Sequence, residues 1–274
     1  MKCILLFIGI TCVTLFFSCK KDKNDSKAGN GRIAGISNPA FSHTYHYDEQ
    51  NRLVGIDYSI SSKMKVAYSA SGMVLQWYDG TDSPTKMRTE MNVVDGKVTD
   101  AIEINDNFSI QHDYNYDSEG RMQQARATKR SVQNNQTVNK GESKFTWNGS
   151  LLSNVTLQVW DANSAKTDSI IWDMSYYENK KYFTWDDVGF SFFGKAPVGG
   201  LPNGMGWRLP VNFLSEGYIP SSAAVKEINR KSFFKQNGQW QMSSGKQTYT
   251  EAYYNYDARG RINNLNNMTT IVWN

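Results

Sequence analysis

The stretch Tyr114-Asn115-Tyr116-Asp117-Ser118-Glu119-Gly120-Arg121-Met122 decides how the chain is read. Two tyrosines at alternate positions point to one face of a strand. Asp117 can accept from the backbone two residues on and so starts a turn. Gly120 supplies the left-handed conformation that a short hairpin loop needs. Arg121-Met122 then opens the return strand, and the whole stretch reads as a β-hairpin.

The same spelling returns twice, as Tyr45-His46-Tyr47-Asp48-Glu49-Gln50-Asn51-Arg52-Leu53 and as Tyr254-Asn255-Tyr256-Asp257-Ala258-Arg259-Gly260-Arg261-Ile262. The common form is Tyr-x-Tyr-Asp-x-x-(Gly/Asn)-Arg-apolar, and periodicity of this kind governs a fold. Weaker copies fill the gaps: Tyr68 to Val74, Val94 to Val98, Trp147 to Leu151 and Phe234 to Trp240. Turn residues are therefore expected at 51, 72, 96, 120, 149, 238 and 260.

Between the turns the residues alternate. Ile110, His112, Tyr114 and Tyr116 share one face, as do Val155, Leu157 and Val159, and Ile170, Trp172, Met174 and Tyr176. No segment shows a sustained helical repeat with caps. The expected fold is all-β: a long antiparallel meander of repeated hairpins, about a dozen or more strands by usual strand lengths. A sheet of that width must curl or close into a barrel-like shell to bury one face and hide its edges.

Composition sets the class. The chain has 274 residues, 20% charged and 13% aromatic, with a formal balance of +4 and both signs represented. Such a chain is not disordered. Its charge makes no case for nucleic acid, and its mean hydropathy of −0.57 excludes a multi-span helical membrane protein. The alternating runs are short and often carry Tyr or His, where a transmembrane strand needs about 9–11 residues with an outward apolar band. The shell is expected to be soluble rather than membrane-spanning.

The start of the chain reads as an address. Met1-Lys2 is followed by an apolar run from Cys3 to Phe17, short of the roughly 20 residues of a spanning helix. Phe16-Phe17-Ser18-Cys19 closes the run, and Lys20-Lys21-Asp22-Lys23 follows at once. A small residue directly before a cysteine at this place resembles the lipobox of bacterial lipoproteins, with Phe16 standing where that motif has leucine. The resemblance implies cleavage after Ser18 and a lipid on Cys19, with an ordinary cleaved signal as the alternative. Cys3 and Cys12 leave with residues 1–18, so the mature chain keeps a single cysteine and forms no internal disulfide. Residues 19–31 then form a solvated tether, and 32–274 a single repeat-built β domain. The implied partner is the outer membrane, held through the lipid, with the periplasmic and surface sides both open.

One segment breaks the rhythm. Residues 186–224 hold Pro197, Pro202, Pro210 and Pro220 of the six prolines, together with a glycine cluster and several aromatics. An irregular insertion is expected there, with a short helix near Val211 to Leu214, and it either serves function or plugs the sheet.

The repeats resemble the tyrosine-aspartate repeats of Rhs-type proteins, which build β-shells. Lipobox, polar tether, scattered repeats and late Pro/Gly-rich insertion together resemble a Bacteroides-group lipoprotein domain family of unknown function. That resemblance covers about residues 32 to 274. It implies a porin-like fold and brings no functional residues with it.

Chemistry is thinly marked. The histidines are His43, His46 and His112, and His43 and His112 hold equivalent places on the tyrosine face. A metal pair or general base is one reading, and histidines packed among tyrosines the other. No nucleophile elbow, Walker loop, dinucleotide fingerprint or metal-ligand spacing is present, so no cofactor, metal or catalytic residue is expected. Asp186-Asp187 beside Trp185 is the nearest approach to a carboxylate pair for glycan hydrolysis, though neighbours on a strand diverge. Asp168-Ser169-Ile170 matches a three-residue O-glycosylation pattern of this bacterial group. Trp207, Arg208 and Tyr218 in the insertion are the aromatics and cation least explained by the repeat, and they form the expected ligand site. The expectation is a non-catalytic envelope lipoprotein, a binding or scaffold module for a glycan, a peptide or an envelope protein. A glycan-processing hydrolase and a structural component of an envelope complex are the alternatives.

Overall fold

The computed structural model describes residues 31–58, 62–193 and 222–274. The signal segment, Cys19, the short helix expected near Val211, and Trp207, Arg208 and Tyr218 lie outside the described residues. Among those described, the chain forms strands β1 (Ile33–Asn38), β2 (Phe41–Tyr47), β3 (Leu53–Tyr58), β4 (Ser62–Tyr68), β5 (Gly72–Asp79) and β6 (Pro84–Val94). Then come β7 (Lys97–Ile104), β8 (Phe108–Tyr116), β9 (Met122–Ser131), β10 (Thr137–Asn148), β11 (Leu151–Asp161) and β12 (Lys166–Lys181). After a short 3-10 helix (Ser191–Phe193) follow β13 (Ala223–Gln236), β14 (Gln239–Thr248), β15 (Tyr254–Tyr256), β16 (Ile262–Leu265) and β17 (Thr269–Trp273).

Every registered pair is antiparallel, and each strand from β1 to β13 pairs with its successor. The last three strands pair in turn, and β17 returns to β1. The result is one 17-stranded sheet whose two edges are β14 and β15. It curls but does not close its ladder. Across the seam, the Tyr254 hydroxyl donates to the Val225 carbonyl and the Tyr177 hydroxyl donates to that of Tyr249.

Strand direction sorts the turns onto two rims. The β2–β3, β4–β5, β6–β7, β8–β9, β10–β11 and β15–β16 turns share the upper rim with the start of β1, the end of β17 and the β12–β13 connection. All the turn residues expected from sequence fall on that rim except 238, which lies between β13 and β14 on the lower rim. Asn51, Gly96, Gly120, Gly149, Gly238 and Gly260 have the left-handed φ their turns require. Position 72 is a correction. The β4–β5 turn is made by Ala70 and Ser71, and Gly72 opens β5. A Cβ on Gly72 would lie 2.1 Å from the Met91 carbonyl oxygen, so close strand approach, not turn geometry, requires glycine there.

The three segments of shared spelling close identical loops. Asp48, Asp117 and Asp257 each accept, through Oδ1, from the backbone N–H groups two and four residues on, at 2.9–3.0 Å. Through Oδ2 each accepts from the arginine Nε four residues on, at 2.8, 2.6 and 2.8 Å. The tyrosine before each aspartate then reaches sideways. The Tyr47, Tyr116 and Tyr256 hydroxyls donate to the carbonyls of Ile33, Val98 and Lys181. Tyr68, Trp147, Tyr176 and Trp273 do the same toward Leu53, Met122, Leu152 and Ile262. A girdle of aromatic donors therefore stitches hairpin to hairpin around the upper rim, each bond worth about 1 kcal/mol net.

Inward positions carry the core, among them Leu53, Ile56, Leu75, Met122, Val155 and Trp172, all nearly solvent-free. Outward positions carry charge, as in the Arg126–Glu142–Lys144 and Lys63–Asp82–Lys65 groups.

Candidate functional site

The β12–β13 connection enters the shell at the upper rim. Phe183, Trp185, Val188 and Phe190 are buried there, and each such side chain removed from water contributes about 1.5–3 kcal/mol. Backbone bonds seat the segment. Ile33 N–H donates to the Asp187 carbonyl at 2.9 Å, and Leu53 N–H donates to that of Gly189 at 3.0 Å. Gly189 has φ +69°, and a Cβ on it would lie 2.8 Å from Tyr47 Cε1 and 2.9 Å from the Asn51 carbonyl oxygen. The described start of the insertion is thus a plug that fills the upper shell.

Asp186 and Asp187 stand where strand gives way to this plug. Asp187 Oδ2 accepts from the Thr184 N–H at 2.6 Å and from its hydroxyl at 2.9 Å. Asp186 Oδ1 accepts from the Ser191 hydroxyl. Each carboxylate is held by its own local partner, and the two do not converge on a common point.

Below the plug the inner wall is polar. His112 on β8 is 3% exposed and its ring stacks on Tyr114 at 6.0 Å. Its neighbours across the ladders are Ala101 and Ala127, small residues that leave room for the imidazole. Burial lowers the His112 pKa to about 4, so the ring is neutral near pH 7. Its Nε2 lies 3.9 Å from a Glu103 carboxylate oxygen, beyond hydrogen-bond distance. Glu103 is in turn opposite Thr89, which is fully buried. Burial, with Tyr116 and then Glu103 adding to it, raises the Tyr114 hydroxyl well above its ordinary range. His43 is packed between Phe41 and Tyr58, both ring centroids 4.8 Å away, and burial lowers its pKa. Both histidines are therefore packed among aromatics, and among the described residues no three His, Cys, Asp or Glu converge as metal ligands.

On β12 and β13, Trp172 and Arg230 face each other, and Trp172 Nε1 and Arg230 Nε are buried without a hydrogen-bond partner in the described structure. From the sequence Trp172 was placed only on the face it shares with Ile170 and Met174, and Arg230 is one more charge in a mixed strand. Two further loops were also missed. Asp79–Ser83 and Asp161–Ala165 repeat the aspartate-centred geometry on the lower rim, with Asp82 and Ser164 in the left-handed position and no arginine. Only their opening aspartate signals them. Ser169, within the three-residue glycosylation pattern, is 9% exposed on β12 between Gln158 and Phe233.

Met87 and Met242 are 41% and 65% exposed, and every residue of β14 is exposed.

No family model and no curated protein matches the chain. Among solved structures it is similar to a porin-like protein from Bacteroides vulgatus, with a TM-score of 0.60 and 12% identity over 89% of this chain and 98% of that one. A porin-like protein from Bacteroides uniformis is 10% identical over 88% of this chain and 98% of that one, with a TM-score of 0.43. At 12% identity the likeness to the first is one of fold: the chain has a porin-like β architecture.

Proposed function

We propose that this chain is a lipid-anchored protein of the bacterial cell envelope whose β-shell acts as a non-catalytic binding or scaffold module. The observation that carries the reading is a shell plugged at one rim and lined by buried polar groups below. His112, Glu103, Trp172 and Arg230 offer hydrogen-bonding groups to a ligand, and at neutral pH the buried imidazole is uncharged, with one ring N–H and one acceptor nitrogen. The Phe17-Ser18-Cys19 junction supports lipidation at Cys19 and, with the porin-like fold, membership of the Bacteroides-group lipoprotein domain family of unknown function. Charged outward positions on β4, β9 and β10 support a shell surrounded by water, because strands in lipid present an apolar band. β1 starts at the plugged rim, so a tether from Cys19 would turn the lower rim away from the membrane.

Two measurements test this. Labelling cells with a palmitate analogue should mark the wild-type chain and not Cys19→Ser, and equal labelling would remove the anchor. A thermal-shift screen of the purified chain against glycans, peptides and metal ions should find one class that raises Tm by several degrees. Loss of that shift in Trp207→Ala would assign the ligand to the insertion, and loss in Arg230→Gln would assign it to the inner wall.

A further inference from the structure

Among the described residues one edge of the sheet has little of the usual protection. Among the described residues β14 pairs with β13 alone, in ten successive register pairs from Glu227↔Thr248 to Gln236↔Gln239, with no bulge. It has no proline, and Lys246 is its only charge. Exposed edges are normally short, bulged, or guarded by proline and inward-pointing charge, because a row of unpaired N–H and C=O groups recruits another strand. Here the row is long and straight, and all of β14 is exposed.

Charge says what kind of strand fits. The β13–β14 hairpin holds Lys226, Arg230, Lys231, Lys235 and Lys246 against Glu227, five cations to one carboxylate. Its balance of +4 equals that of the entire chain, so the rest of the sequence sums to neutrality. On the outer face Trp240 and Met242 stand beside Lys235 and Phe233, with Lys235 Nζ 5.6 Å from the Trp240 ring centre. Trp240 and Met242 are thus the apolar groups on the outer face of the edge, with Lys235 beside them on β13 and Lys246, whose Nζ also meets Glu227 at 2.6 Å, further along β14.

We propose that the outer edge of β14 docks an extended acidic segment of a partner protein, which adds to the sheet as a further strand. Its backbone pairs with that of β14, its apolar side chains cover Trp240 and Met242, and its carboxylates face Lys235 and Lys246. A second copy of this chain would set one +4 hairpin against another. A glycan or nucleic-acid polyanion would meet the charge but has no amide ladder to pair. The inference rests on the reading of the domain as a binding module and supplies the class of its partner.

The test is amide hydrogen exchange of the purified full-length chain in detergent micelles with a blocked decapeptide in which Val and Asp take turns on one strand face and Thr fills the other. The β14 amides should exchange at least about tenfold more slowly with the peptide bound. The same peptide N-methylated at alternate residues, which keeps the charge and removes the donors, should give no protection. Lys235→Glu/Lys246→Glu, two exposed positions, should weaken binding about tenfold or more. Four results would overturn the proposal: no protection of β14, equal binding of the N-methylated peptide, equal protection by a sulfated glycan, or β14 already protected in the chain alone. In the last case, dependence on protein concentration would assign the edge to a second copy. Labelling and thermal shift read the anchor and the ligand without reference to β14, so failure at the edge leaves the module reading standing.

Discussion

The hydroxyl of Tyr116 donates to the carbonyl of Val98 at 2.9 Å, so the last residue of β8 is tied to the neighbouring hairpin just before its own loop begins. One residue later, Asp117 and Arg121 close that loop. The tyrosine joins units and the aspartate shapes each one, which is why the two travel together in the sequence.

Tyr116→Phe removes the donor and leaves the ring in place. We expect a loss of about 1 kcal/mol, read from the urea midpoint at unchanged m-value. Phenylalanine at 47, 116 and 256 together should cost close to the sum, since the three bonds are far apart in the sheet.

Asp117→Asn and Arg121→Lys test the loop. Asparagine keeps the turn but weakens the charged contact to Arg121 Nε, and lysine cannot reproduce the guanidinium geometry. Both should lower the midpoint, and the double variant should lower it by less than the sum.

Stability should fall with acidity in two stages. Burial depresses the His112 pKa to about 4 from 6.5, so between those values the unfolded chain binds a proton that the native chain does not. Stability is then full above about pH 6.5 and declines by roughly 3 kcal/mol on the way to pH 4. Glu103 lies 3.9 Å from the imidazole and Tyr114 stacks on it. His112→Gln should flatten the slope between pH 6.5 and 4 in urea titrations.

Below that window the loop aspartates take over. For Asp257, bonds from Arg261 and Arg259 hold the carboxyl below its ordinary value of 3.8 despite some desolvation. For Asp48 and Asp117, desolvation pushes the carboxyl up, and the arginine bonds outweigh it. A depressed carboxyl stabilises the native state above the unfolded pKa, and that contribution is lost as pH falls through the folded one. Asp48→Asn, Asp117→Asn and Asp257→Asn together should flatten the curve below about pH 4.

Gly189→Ala should unseat the plug. The residue has φ +69° and its Cβ would meet Tyr47 and the Asn51 carbonyl, so a loss of about 1–3 kcal/mol is expected. Trp185, 4% exposed, reports it: its fluorescence should shift to the red before global unfolding.

Strand alternation and the upper-rim turns were legible because they are local. Asp48, Asp117 and Asp257 reach N–H groups two and four residues away, and no distant element is needed to complete those loops. Gly72 was misread for the opposite reason. Its constraint is the Met91 carbonyl on the next strand, which leaves no mark on the residues around it. The polar inner wall was half legible: His112 was placed on the tyrosine face, while the Trp172–Arg230 pairing depends on the register of β12 against β13.

By itself the sequence determined an all-β meander and the spelling of its hairpins. The tertiary structure decided the rest. It set Tyr256 against a carbonyl 75 residues away, turned Phe183 to Phe190 inward as a plug, and left β14 exposed along its length among the described residues. A turn closes within five residues and is settled by their own hydrogen bonds. Which strand stands beside which across a seam is settled by how far the accumulated twist carries the sheet around before its two edges meet.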